Sequence, residues 1–184
     1  PDVKITVGVS CENCHGPAEN WLLSHTRKDY THADRVHAGM RDLKNPYVRA
    51  NTCVACHQNV DSELIRAGHP ELIFELDGQA VTQPKHWRKE LDKPGPQLWL
   101  VGQAVALREK VWQFEAEANH DANPPDHWLG LEWVIRSAAL ALGMEWFPDN
   151  GATPSNQLRA RADQLARDVT RLDWTEALTR KCLA

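Results

Sequence analysis

The sequence predicts a mainly α-helical protein in which an irregular amino-terminal region precedes a helical bundle. Two observations lead there. Beyond residue 97, three segments place apolar residues at helical spacing; before it, two short cysteine and histidine motifs each lead into a brief apolar stretch. The expected division is 1–96 for the motif-bearing region and 97–184 for the bundle.

Composition sets the outer bounds. A chain of 184 residues fits one ordinary domain or two small ones. An apolar share of 42% and eight tryptophans argue against disorder. No uninterrupted apolar run approaches bilayer-crossing length, so a soluble protein with no membrane span is expected. Net charge is −4 with both signs spread along the chain, which leaves neither a nucleic-acid footprint nor a polybasic anchor. The chain opens at Pro1 with no charged-then-apolar leader, which fits either a processed mature protein or a chain trimmed at its start.

The first element is built on Cys11-Glu12-Asn13-Cys14-His15 and the second on Cys53-Val54-Ala55-Cys56-His57. Both read C-x-x-C-H. At this chain's own cysteine and histidine frequencies, chance supplies about 0.007 copies of that pattern. The spacing has a chemical reason: two thiols three positions apart can add to the two vinyl groups on one edge of haem, and the next residue then offers an imidazole to the iron. Cys11, Cys14, Cys53 and Cys56 are thus candidate attachment points for two c-type haems, with His15 and His57 as proximal ligands. A structural zinc site is the first alternative, since paired knuckles can supply four thiolates. The 38 residues between Cys14 and Cys53 exceed the usual knuckle separation, and zinc gives no reason for His at the same offset in both. A thioredoxin-like pair fits less well, because nothing around either motif reads as a βαβ unit.

At an offset of 42 residues, Leu22 and Leu23 correspond to Leu64 and Ile65. These short apolar segments are placed to cover haem faces, so the amino-terminal region is expected to be haem-organised. Seven other histidines and only two methionines, Met40 and Met144, favour bis-histidine ligation. His69, held in Ala67-Gly68-His69-Pro70, is the first distal candidate, followed by His25 at the end of Trp21-Leu22-Leu23-Ser24-His25 and by His86 in Lys85-His86-Trp87. His32 and His37 read as solvated, and His120 and His127 as flanks of a connector.

Gln79 to Pro96 has no clear period and reads as a linker. The first bundle helix is expected from Gln97 to about Ala118 on Leu98, Val101, Val105 and Trp112. The second runs from about Asp126 to Phe147 on Leu129, Trp133, Leu140 and Met144, ended by Pro148-Asp149-Asn150-Gly151. A third begins at Pro154, with Thr153 as N-cap, and repeats Leu158, Ala162, Leu165, Val169 and Leu172 as a packing seam. Trp112 and Trp133 are expected in the core, and Cys182 has no partner among the motif cysteines, leaving a free thiol or an intermolecular disulfide, with no assigned role.

The run Gly8-Val9-Ser10-Cys11-Glu12-Asn13-Cys14-His15-Gly16-Pro17, then His25, then Cys53-Val54-Ala55-Cys56-His57, with Ala67-Gly68-His69-Pro70 and His86-Trp87, resembles the multihaem cytochromes c related to the tetrahaem cytochrome of bacterial ammonia oxidation. The resemblance covers roughly residues 8–87 and implies periplasmic electron transfer through closely packed haems. It also implies that His25 serves a haem for which this chain has no motif. Three outcomes are then open: His25 is reassigned, another histidine substitutes, or the iron at His15 stays five-coordinate. The leading expectation is an electron carrier serving redox partner proteins, periplasmic or otherwise exported. The runner-up is a haem enzyme or a sensor of nitric oxide, peroxide or a similar small ligand. A third reading makes the seam on residues 158–172 a docking face in a homodimer or a larger redox complex.

Overall fold

The protein is described by a computed structural model, which covers residues 8–81, 95–116, 126–146 and 154–184. Within them the chain is mainly helical and carries no strand. The amino-terminal part contributes short helices: α1 (Cys11–His15), α2 (His32–His37), α3 (Pro46–His57), α4 (Ser62–Arg66) and α5 (Leu76–Val81). The longer ones follow, namely α6 (Gly95–Ala116), α7 (Asp126–Ala141) and α8 (Ser155–Arg171), with α9 (Glu176–Leu183) closing the chain. Among the described residues no helix is long and apolar enough to cross a membrane.

Helix α6 is the centre. Gln97, Leu98 and every residue from Leu100 to Leu107 are buried, because this helix is apolar on all sides rather than along one stripe. Helices α3, α5, α7 and α8 surround it, so residues from both halves of the chain share one core: Ala50, Val54, Phe74 and Leu76 pack with Leu98, Val105, Ile135 and Leu165. Gln97 is fully buried at the start of α6. Its side-chain amide donates to the carbonyls of Val169 (2.7 Å) and Leu172 (3.1 Å), satisfying groups that the end of α8 leaves unpaired. The seam on α8 is as its repeat predicts through Leu158, Ala162, Leu165 and Val169; Leu172 lies just beyond the helix as its C-cap.

Two expectations for the bundle need correction. Helix α7 buries Trp128, Ile135, Ala138 and Ala139, flanked by half-buried Leu131 and Leu142, whereas Leu129, Trp133 and Leu140 are exposed. The true seam is shifted by about one position. Both stripes are apolar, and the buried one carries the small Ala138 and Ala139, which let the backbones of α7 and α6 approach. Trp133 (60% exposed) and Trp112 (45%) therefore stand on the surface rather than in the core. The helix also stops at Ala141, before Pro148: Gly143 takes φ +76°, and the Met144 N–H turns back to the Ala139 carbonyl at 2.9 Å. The stop signal Pro148–Gly151, together with Thr153, lies outside the described residues.

Helices α3 and α9 were not expected from periodicity. Asn45 caps α3, accepting from the Val48 N–H at 3.2 Å, with Pro46 in the first turn. Thr175 caps α9, which brings Trp174 and Cys182 against the core. A polar network then ties α3 to α6 and α8. Tyr47 donates to Asp163 (2.7 Å), Arg108 bonds both Asp163 and Asn51 (2.5 Å each), and Arg167 pairs with Asp163 (2.8 Å) while stacking over the Tyr47 ring.

Candidate functional site

Each C-x-x-C-H motif is helical, and this settles the direction of its side chains. Positions i, i+3 and i+4 share one helix face, so Cys11, Cys14 and His15 project together from α1, and Cys53, Cys56 and His57 from the last turn of α3. In each motif one thiol is half-buried (Cys14, Cys53) and the other exposed (Cys11, Cys56); all four are free. Burial pushes the Cys53 thiol above its ordinary range, and the charge of Cys14 adds to the effect.

The first motif sits in a five-residue helix with little intrinsic stability. Its ends are held from outside. At the start the Ser10 N–H and hydroxyl both donate to Asn13 Oδ1 (2.8 and 2.9 Å). At the end Gly16, at φ +82°, turns the chain, and Arg41 gathers the last carbonyls: its guanidinium donates to Asn13 (2.9 Å) and Cys14 (3.0 Å), its backbone N–H to His15 (2.8 Å). The second motif needs no such clamp, because α3 is twelve residues long and buries Ala50 and Val54 against the core.

Two candidate distal histidines share one feature. The His25 Nδ1 lies 2.6 Å from the Leu22 carbonyl and the His69 Nδ1 lies 2.7 Å from the Pro70 carbonyl. A carbonyl can only accept, so each Nδ1 is the donor; in the neutral ring this leaves the lone pair on Nε2, the tautomer an imidazole needs to bind a metal through Nε2. His69 is exposed at the turn after α4, where Gly68 at φ +98° ends the helix as the Ala67-Gly68-His69-Pro70 sequence predicts. His25 packs edge-on against Trp21 (ring centroids 5.5 Å), and Trp21 also meets His15 (6.4 Å). Trp21 is buried, and sequence reasoning gave it no role beyond the segment leading to His25. By contrast, His32 directs Nε2 at Asp42 (3.1 Å), which occupies that nitrogen, and His37 is exposed. Met144 packs against the core. His86 and His120 lie outside the described residues, and of His127 only the backbone is described.

The residues present fit haem by donor chemistry: paired thiols and an adjacent imidazole on one face, twice. Large apolar side chains stand exposed in the stretches that flank the motifs in sequence, among them Val9, Leu22, Leu23, Leu64 and Ile73. Among the described residues no three His, Cys, Asp or Glu side chains are gathered to hold a bare metal ion. Comparison with protein-family models, curated proteins and solved structures finds no match.

Proposed function

We propose that this chain is a dihaem c-type cytochrome that passes electrons between redox partner proteins. The observation that carries the proposal is the pair of C-x-x-C-H motifs, each with its two thiols and imidazole on one helical face. On this reading each cysteine S–H adds across one vinyl C=C of its haem to form a thioether, with no leaving group, and haem supplies one-electron chemistry when bound. Cys11 and Cys14 hold the first group and Cys53 and Cys56 the second. His15 and His57 are the proximal ligands, while His69 and His25, through Nε2, are the described candidates for the opposite positions; His86 is the remaining one. Thioether attachment is carried out on exported chains in bacteria, so the proposal places the protein in the periplasm or beyond.

The test is maturation in a bacterial host competent for covalent haem attachment, followed by acid-acetone extraction and pyridine haemochrome analysis. Two haems per chain should stay with the protein. Pigment that extracts fully, or stoichiometric zinc in its place, overturns the proposal. With haem attached, low-spin ferric spectra and indifference of the reduced protein to carbon monoxide identify a carrier, whereas carbon monoxide binding at one centre identifies an open iron and a catalytic or sensing role.

A further inference from the structure

The two motifs are anchored to different parts of the protein. The first is clamped by Arg41, a neighbour within the amino-terminal region. The second is fixed to the bundle by the residue that follows its histidine. Gln58 is only 2% exposed, and its side-chain amide donates to the Ala106 carbonyl in the middle of α6 at 2.9 Å. Two turns further along α6, Gln113 donates to the Val60 carbonyl at 2.8 Å, so the chain leaving His57 is held to the central helix at two points. Gln58 is also where α3 ends, at φ −133° and ψ −51°, and its anchoring therefore sets how the last helical turn, with His57, meets α6.

We propose that Gln58 is a positioning residue for His57, through which the helical bundle sets the electronic state of the second haem while leaving the first, held by Arg41, untouched. The proposal rests on the dihaem reading. An iron ligand's orientation and its outer hydrogen bonds tune the potential of the centre it serves. The Gln58 hydrogen bond reaches α6 from the residue next to His57, so losing it alters how that ring is presented while the rest of α3 stays packed on the core. The bundle then has a purpose beyond support: whatever binds or strains α6 is felt at one centre only.

The experiment uses the matured holoprotein with Gln58→Met, which keeps the side-chain length and removes the donor, beside Arg41→Met. The readouts are the low-spin EPR signals of the two ferric haems and their midpoint potentials by spectroelectrochemistry. Gln58→Met should move one signal and one potential, changing that centre's reduction equilibrium two- to tenfold, where tenfold is about 59 mV for one electron. Arg41→Met should move the other pair. Asp163→Asn, which weakens the α3–α6–α8 network without touching Gln58, should move the same pair as Gln58→Met and keeps the question answerable if that variant matures poorly. Haem retained in acid acetone with both potentials unmoved by Gln58→Met and Asp163→Asn overturns this inference and leaves the dihaem reading standing. The inference also fails if both centres move equally in every variant. Loss of haem from the wild-type protein overturns the dihaem reading instead.

Discussion

Gly102 and Gly130 should respond to the same substitution in opposite directions. Both are helical, Gly102 in α6 and Gly130 in α7, and alanine in a helix interior is favoured over glycine by about 1 kcal/mol. The surroundings decide the rest. A Cβ at residue 102 would lie 2.7 Å from the Leu76 Cβ and 3.2 Å from the Leu76 backbone nitrogen, far inside the roughly 3.5–4.0 Å of ordinary carbon contact. Leu76 is buried, and its backbone is part of the clash, so the start of α5 must move as a unit. Overpacking of this kind costs about 1–3 kcal/mol, which exceeds or at least cancels the propensity gain. Gly130 has nothing within 4 Å of its would-be Cβ and keeps the gain whole. At about 2–4 °C per kcal/mol for a chain of this size, Gly102→Ala should lower Tm by up to about 8 °C and Gly130→Ala raise it by about 2–4 °C. Thermal unfolding followed by far-ultraviolet circular dichroism measures both. A Gly102→Ala protein as stable as Gly130→Ala would refute the close packing of α5 on α6.

The α7 seam is tested by truncation: Ile135→Ala should cost about 2–5 kcal/mol in urea unfolding, whereas Leu129→Ala, on the exposed stripe, should change stability by less than about 0.5 kcal/mol. For Asp163, burial alone would push the carboxyl up, but hydrogen bonds from Arg167, Tyr47 and Arg108 outweigh it and hold the group below its ordinary value. Its contribution to stability is therefore present above the unfolded-state value of about 3.9 and is lost as pH falls through the lower folded value, so Asp163→Asn should flatten the loss of stability below about pH 4 in an acid-unfolding series. Burial raises the Cys182 thiol and packs it against the core; iodoacetamide at neutral pH should label it more slowly than a free cysteine, and urea should remove the difference. Hydrogen exchange on protein made without haem attachment should show α6 and α8 protected while α1 and the turn through Trp21 exchange fast; equal protection of both would count against a haem-organised amino-terminal region.

What the sequence made legible follows from how much each signal depends on distant partners. The C-x-x-C-H motifs are local chemistry, and their side-chain directions follow once the segments are helical. The α8 seam is legible because a single stripe, Leu158 to Val169, stands out against polar residues. Helix α7 defeats the same reasoning, since Trp128, Leu131 and Ile135 compete with Leu129, Trp133 and Leu140, and packing against α6 and α9 decides between them. The stop at Gly143 was readable from a glycine but was passed over for the stronger-looking proline at 148. Helix α3 was missed because its burial is sparse and its start lies in a cap, Asn45-Pro46, rather than in a period.

The same distinction bears on the candidate site. Choosing among histidines by sequence could use only the restraint of the surrounding turn, which favoured His69. The structure adds a chemical criterion that spacing cannot carry: which ring nitrogen is already spoken for. His25 and His69 give Nδ1 to a backbone carbonyl one or three residues away and keep Nε2, while His32 engages Nε2 with Asp42. That criterion ranks His25 level with His69, although the family resemblance assigned it to a haem outside this chain. The aromatic contact of Trp21 with both His25 and His15 places all three at one location beside the first motif. On the dihaem proposal, this local geometry makes His25 a candidate for the iron held at His15.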